Sequence, residues 1–336
     1  MEHHFHYPHS FSLESGQTLP ELRITYHTYG KLNAAKDNIV WICHALTANA
    51  DVMDWWKGLI HEGAPVNEQK HFIICANIPG SCYGSTGPLS VNPETGKPYY
   101  ASFPDITIKD MVNAHMLLKA HLGIERICLL IGGSMGGYQA MEWALMEPET
   151  IERLFLLATS AAESAWGISI HTAQRLAIEA DGSFGEDDDN AGAKGLKAAR
   201  AVGMLTYRNH LLMNRQQTDN DIEKLDNYKA SAYISYQGDK LVNRFNAYSY
   251  WKLTKAMDSH NIARGRSTNL ELALKQITQP VLLIGISSDI LCPVAEQEYM
   301  ALHIPDCRYE AIDSEYGHDG FLIETAAING ILGDWF

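Results

Sequence analysis

Positive charge is scarce in this chain. Its 26 lysines and arginines face 40 aspartates and glutamates, a formal net charge of −14, which is the wrong sign for holding duplex DNA through many phosphate contacts. Nucleic acid is therefore not an expected partner. Long apolar runs are lacking as well. The longest, such as Ile127 to Ile131 and Val281 to Ile286, fall far short of the roughly 20 residues a membrane helix needs, so no membrane is expected either. The opening Met-Glu-His-His-Phe-His has no basic start followed by an apolar stretch. Without that secretory pattern, the cytoplasm is the expected compartment. The six cysteines form no C-x-x-C pair, and Cys43, Cys75 and Cys128 lie within apolar runs, the setting of reduced, buried thiols.

A second absence marks the organisation. None of the twelve prolines and none of the six cysteines falls within residues 149 to 279. That interval is rich in Ala, Leu, Lys, Asn and Tyr. Its segments Ala193 to Tyr207 and Asp226 to Gln237 look helical, while Gly182 to Gly192, with Glu186-Asp187-Asp188-Asp189, reads as a solvated loop. The acidic run lacks the Gly and terminal Glu of a calcium loop, so charge solvation is its expected role. The expected architecture is a core of residues 1–160 and 266–336 carrying a helical lid at 161–265.

What the chain does have is ample core material. Forty-six per cent of its 336 residues are apolar and 10% aromatic, which excludes a disordered, collagenous or low-complexity protein. Short β-branched runs bounded by turn signals occur at Asn38–Cys43, His71–Ala76, Arg126–Ile131, Ile151–Ala158, Pro280–Ile286 and Arg308–Ile312, alternating with helical patterns. This is the signature of an α/β protein whose mostly parallel sheet is flanked by helices. Ile108, Met111, Val112, His115, Leu118 and Leu122 keep helical spacing, with Gly123 as a stop. His115 lies on that apolar face and is expected to be a packed core residue.

The chemistry concentrates at Gly132-Gly133-Ser134-Met135-Gly136-Gly137, which follows one strand-like run and opens a helical stretch at Tyr138 to Met146. It fits the G-x-S-x-G elbow, in which a serine on a tight strand-to-helix turn projects its hydroxyl beyond the sheet edge. A serine needs a base, and the base needs an acid to orient it. Asp289 follows the run ending at Ile286, and His318 follows the run ending at Ile312 in a Gly-His-Asp-Gly turn. The chain order Ser134, Asp289, His318 places the helical insertion between nucleophile and acid, as in α/β-hydrolase folds with a lid. Asp306, Asp313 and Asp319 are rival acids, but Asp289 alone lies in the loop after the penultimate strand. The oxyanion hole needs two N–H groups. Met135 follows the nucleophile, and Leu46 lies in His44-Ala45-Leu46-Thr47 after an early strand. His44 fits either a support of that loop or a buried histidine bonded to backbone, and the two are compatible. His3, His4, His6 and His9 have no obvious Cys or carboxylate partner and are not expected to bind metal.

Beyond these residues, Cys43 to Thr47, Gly84-Ser85-Thr86-Gly87-Pro88, Phe103-Pro104 with Thr107 to Val112, Gly132 to Gly137 with Ala140 to Ala144, and Gly317-His318-Asp319 together resemble homoserine O-acetyltransferases. The likeness runs from about Phe11 to the C-terminus. The resemblance implies an α/β-hydrolase fold and a usually dimeric cytoplasmic enzyme of methionine biosynthesis, with acetyl-CoA as donor and L-homoserine as acceptor. It implies no metal and no cofactor beyond acetyl-CoA as co-substrate. It also implies the triad Ser134, Asp289 and His318. The stretch Ala199 to Arg208 is similar to the segment whose arginine and tyrosine hold the amino acid, pointing to Arg200 and Tyr207, and Asp319 matches the substrate-binding aspartate. On residue type alone, Arg200 would read as a solvated helix residue and Asp319 as a turn former. Two departures bear on the acyl pocket and its entrance: Cys292 stands where an aromatic residue is common, and the lid is short with an acidic loop. The nearest alternatives are succinyl transfer, serine as acceptor, or a plain esterase or thioesterase.

Overall fold

The computed structural model describes all 336 residues. Eight strands form one sheet: β1 (Glu2–Tyr7), β2 (Leu22–Tyr29), β3 (Ile39–Cys43), β4 (Phe72–Ala76), β5 (Leu129–Gly133), β6 (Leu154–Leu157), β7 (Val281–Ile286) and β8 (Cys307–Ile312). Their spatial order is β1-β2-β4-β3-β5-β6-β7-β8. β1 with β2, and β2 with β4, are antiparallel; every other pairing is parallel. The six expected strands are all present, with ends shifted by up to three residues. The run at Arg126 extends instead through Gly133, since Gly132 and Gly133 pair in register with Leu156 and Leu157.

Alternation along the strands divides the core into two layers. In β3, Ile39, Trp41 and Cys43 face one apolar cluster, while Val40 and Ile42 face the other. Burial on both faces is what makes such strands read as continuous apolar runs. The crossover helix spans Ile108–His121. Its start is set by a capping box in which the Thr107 hydroxyl accepts from the Asp110 N–H and the Asp110 carboxylate accepts from the Thr107 N–H. His115 is fully buried between Trp41 and Trp143 and its Nε2 donates to Gln139 Oε1 at 3.2 Å. Burial lowers its pKa to about 4, so it packs as a neutral ring.

β1 and β2 were not foreseen. β1 is an edge strand, so its histidines stay half solvated: His3 Nε2 meets Thr28 Oγ1 at 2.9 Å, His4 Nδ1 meets Thr25 Oγ1 at 3.0 Å, and His6 Nε2 meets Glu21 Oε2 at 2.9 Å. The polarity that hid the strand from pattern reading is the normal dress of an exposed edge.

Between β6 and β7 lie five substantial helices, Ala165–Glu179, Ala193–Tyr207, His210–Gln217, Lys229–Val242 and Ala247–Asp258. The second matches its expected bounds. The fourth starts three residues late because Asn227 sits in the left-handed region at φ 58° and the Lys229 N–H donates to the Asp219 carboxylate. The acidic loop is exposed as expected, though Asp189 accepts from the Tyr100 hydroxyl at 3.0 Å and the Glu186 carbonyl accepts from the Tyr248 hydroxyl. No helix is long and apolar enough to cross a membrane.

Two glycines test this packing from opposite sides. A Cβ on Gly136 would lie 2.1 Å from the Cys43 carbonyl oxygen, whereas one on Gly330, in the helix Thr325–Gly333, would meet nothing within 4 Å. Gly136→Ala should therefore destabilise the protein by about 1–3 kcal/mol through a backbone clash. Gly330→Ala should stabilise it by about 0.5–1 kcal/mol. Thermal denaturation of the two variants checks both signs.

Candidate active site

Ser134, Asp289 and His318 all follow the C-terminal ends of parallel strands, β5, β7 and β8, and the Leu46 loop follows β3. That shared sheet edge is the place where loops of different sequence origin converge. At Ser134 the backbone turns through φ 54°, ψ −128°, and the helix Met135–Met146 begins at the next residue. Such a conformation costs on the order of 1–3 kcal/mol outside glycine. It is held by three hydrogen bonds: Ser134 N–H donates to the Leu157 carbonyl at 2.9 Å, and the Ser134 carbonyl accepts from Gly137 N–H and from Thr159 Oγ1, each at 2.8 Å. Although Ser134 caps the helix, its side chain makes no capping hydrogen bond. The hydroxyl is free for another partner.

That partner is His318. Its Nε2 lies 2.9 Å from Ser134 Oγ, and its Nδ1 lies 2.6 Å from Asp289 Oδ2. All three residues are buried. The other carboxylate oxygen, Asp289 Oδ1, accepts from the N–H groups of Leu291 and Cys292 at 2.8 and 2.9 Å, so the acid is fully bonded and cannot swing away. Two of the rival acids are engaged elsewhere: Asp313 takes the Ser287 hydroxyl at 2.9 Å, and Asp319 Oδ2 lies 2.9 Å from Arg208 Nε. The His318 turn is pinned through Ser288, whose hydroxyl donates to the Ser314 carbonyl and accepts from the Gly317 N–H. Burial would lower the imidazole pKa, but the charge and hydrogen bond of Asp289, helped by Asp319 and Glu163, more than offset it, leaving the value raised above 6.5.

Leu46 N–H and Met135 N–H donate to no protein acceptor, as an oxyanion hole requires. His44 supports the loop between them and the core through backbone contacts. Its Nδ1–H donates to the Ala45 carbonyl at 2.9 Å and its Nε2 accepts from Ile78 N–H at 3.3 Å, while Gln139 Nε2 donates to the His44 carbonyl. Burial lowers the His44 pKa to about 4, so the ring can accept that bond as a neutral group.

A cavity of about 650 Å³ opens over Ser134, lined on one side by Leu46 and its loop and on the other by Arg200, Tyr207 and further residues of four of the five helices. His318 and Asp319 complete its floor. All three residues assigned by resemblance therefore reach the same cavity as Ser134 and His318. The Arg200 guanidinium stacks on the Tyr207 ring at 5.2 Å, and that ring lies 6.0 Å from His318. Burial raises the Tyr207 pKa against the opposing charge of Arg200, so its hydroxyl keeps its proton.

Arg208 is the residue that reading the sequence missed. Its Nε lies 2.9 Å from Asp319 Oδ2, an ionic contact that makes Asp319 part of a charge cluster rather than a lone carboxylate. The signal was present, since Arg208 closes the same motif as Arg200 and Tyr207, but nothing in a linear spacing says that the helix end folds back onto the histidine turn. Burial raises the Asp319 pKa, opposed by Arg208, His318 and Arg200.

One group has the donor set for a metal: ligand atoms of Asp289, Cys292 and His318 lie within 4.8 Å of one another. Asp289 and His318 are committed to each other, and burial pushes the Cys292 thiol well above its usual value, so it remains a protonated packing group against Ile170 and Leu291. The arrangement is that of a nucleophilic triad.

The alpha/beta hydrolase fold family matches residues 38–325. The homoserine O-acetyltransferase of Cyclobacterium marinum is 47% identical, covering 99% of this chain and 94% of its own. That of Chlorobaculum parvum is 48% identical over 95% of this chain and 90% of its own. Among solved structures, the homoserine O-acetyltransferase from Bacillus anthracis superposes with a TM-score of 0.91 at 24% identity, covering 100% of this chain and 97% of its own. With relatives this similar over nearly the whole length, the chain belongs to the homoserine O-acetyltransferase family of the alpha/beta hydrolase fold.

Proposed function

We propose that the protein transfers the acetyl group of acetyl-CoA to the hydroxyl of L-homoserine by a ping-pong route through an acyl-serine. The observation that carries this reading is the content of the cavity. A hydrolytic triad opens into a space that also holds a guanidinium, Arg200, and a carboxylate, Asp319, the opposite charges a zwitterionic amino acid presents. A plain esterase has no use for that pair. In this reading residues 1–160 and 266–336 form the catalytic core, and 161–265 form the lid. It carries with it the cytoplasm as compartment, methionine biosynthesis as setting and a homodimer as assembly. Acetyl-CoA serves as co-substrate, with no metal or further cofactor.

His318 Nε2 removes the Ser134 hydroxyl proton as Oγ attacks the thioester carbonyl, and the Leu46 and Met135 N–H groups receive the oxyanion. Collapse breaks the C–S bond, and the thiolate of CoA leaves with the proton that His318 returns. Homoserine then enters with its carboxylate on Arg200 beside the Tyr207 hydroxyl and its ammonium toward Asp319. Its own hydroxyl gives a proton to His318 and attacks the acyl carbon. Ser134 departs and is reprotonated by His318. Throughout, Asp289 stabilises the imidazolium and fixes the tautomer. Transfer outruns hydrolysis because the held acceptor hydroxyl replaces bulk water at the acyl carbon.

Ser134→Ala should lower transfer by roughly 10⁴- to 10⁶-fold while leaving the fold intact. Mass spectrometry of the unaltered protein mixed with acetyl-CoA alone should find acetyl on Ser134; acetyl confined to another residue rejects this nucleophile.

The pH dependence follows from the raised His318 pKa. Turnover requires neutral imidazole, so kcat/KM should fall as the pH drops through a value above 6.5. Asp319→Asn removes one of the negative charges that favour imidazolium, so the acid limb should move to lower pH. A limb that stays put would separate Asp319 from the base.

The same substitution tests the acceptor site. A lost charge-assisted contact of about 1.5–3 kcal/mol should cut kcat/KM for homoserine roughly 10- to 150-fold, while acetylation of Ser134 in a single turnover is spared. Equal losses in both half-reactions would mean that Asp319 serves only to hold the histidine turn.

A further inference from the structure

The cavity has a buried end and a wet end. Ser134 lies at its floor, 7% exposed, whereas Lys240 and Arg244 line it from exposed positions. Lys240 sits in the last turn of the helix Lys229–Val242, and Arg244 follows that helix. More than half of the chain's lysines and arginines pair with a carboxylate, but the three that line this cavity, Arg200, Lys240 and Arg244, do not. Arg244 is instead held by neutral groups. Its guanidinium donates to the Thr47 carbonyl at 2.5 Å and to the Tyr83 hydroxyl, so its direction is set while its charge stays uncompensated. Asp54 is the exposed carboxylate lining the same cavity.

On a protein of net charge −14, two unpaired cations at the mouth of a catalytic cavity need a reason. A neutral ester or a zwitterionic amino acid supplies none, since Arg200 and Asp319 in the same cavity already match the zwitterion. A thioester carried on a nucleotide supplies one, since its phosphates offer several oxygens to a guanidinium fork and a strong field to an ammonium.

We propose that Lys240 and Arg244 receive the phosphate groups of the donor's nucleotide half, with the pantetheine arm running inward to Ser134. This assignment rests on the acyl-CoA reading above and deepens it. It also gives Arg244 a second effect. Thr47 directly follows Leu46, so the guanidinium that takes the phosphates also ties down the loop that presents the Leu46 N–H. Arg244 is thus a positioning residue for the oxyanion loop, and Lys240 is the cleaner probe of phosphate binding.

The test compares single-turnover acylation of the full chain by acetyl-CoA and by S-acetylpantetheine, which has the same thioester without the nucleotide. Lys240→Glu should lower the ratio of kcat/KM values, acetyl-CoA over acetylpantetheine, by roughly 10- to 100-fold. Added salt should narrow the same ratio in the unaltered protein. Arg244→Lys keeps the charge and should lose less of the ratio than Arg244→Met, whereas both should slow acylation by acetylpantetheine through the loosened loop. An unchanged ratio in Lys240→Glu, or an equal loss on both donors, overturns the phosphate assignment and leaves the transferase reading standing. If the unaltered protein takes acetyl on Ser134 from neither thioester, the transferase reading falls and this assignment falls with it.

Discussion

The backbone at Ser134 is the constraint on which the site depends. A non-glycine residue at φ 54° is stable only where its surroundings over-determine it, and here the surroundings are the sheet itself. β6 supplies the acceptor for Ser134 N–H through Leu157, and the residue two beyond it, Thr159, grips the Ser134 carbonyl. On the other side of β5, the Cys43 carbonyl at the end of β3 presses against Gly136, and Gly136 in turn presses against Gly132. Neighbouring strands on both sides thus clamp one residue. The hydroxyl is spared from helix capping and left to His318.

Charge is managed differently at the floor and the mouth of the cavity. At the floor, both carboxylates have counterparts: Asp289 bonds to His318 and two backbone N–H groups, and Asp319 faces Arg208. Behind the acid loop, burial raises the carboxyl pKa values of Glu163 and Glu296, and both take a hydroxyl, from Tyr138 and Ser160 respectively. At the mouth, Lys240 and Arg244 are left without carboxylates. The contrast fits a site whose inner charges must be settled before chemistry and whose outer ones await a ligand.

Much of this was legible in the linear chain. Strands buried on both faces carry their identity in composition, so β3 to β7 stood out as apolar runs between turn signals. The G-x-S-x-G elbow is a local motif whose glycines are demanded by close backbone approach, and the order of Ser134, Asp289 and His318 follows from where loops leave a parallel sheet. β1 was hidden because an edge strand needs no apolar alternation, and Glu2 to Tyr7 is half histidine.

The sequence alone therefore determined the fold class and the strand ends at which Ser134, Asp289 and His318 stand, because each rests on local backbone geometry or on strand order. Only the tertiary structure decided which cations and carboxylates share the cavity. Arg200, Lys240 and Arg244 come from helices and loops inserted between β6 and β7, and Asp319 comes from the turn after β8. Their meeting depends on how the inserted helices pack over the sheet edge. That packing is fixed by side chains spread along five amphipathic faces, and no spacing in the chain records which end of which helix will lie over Ser134.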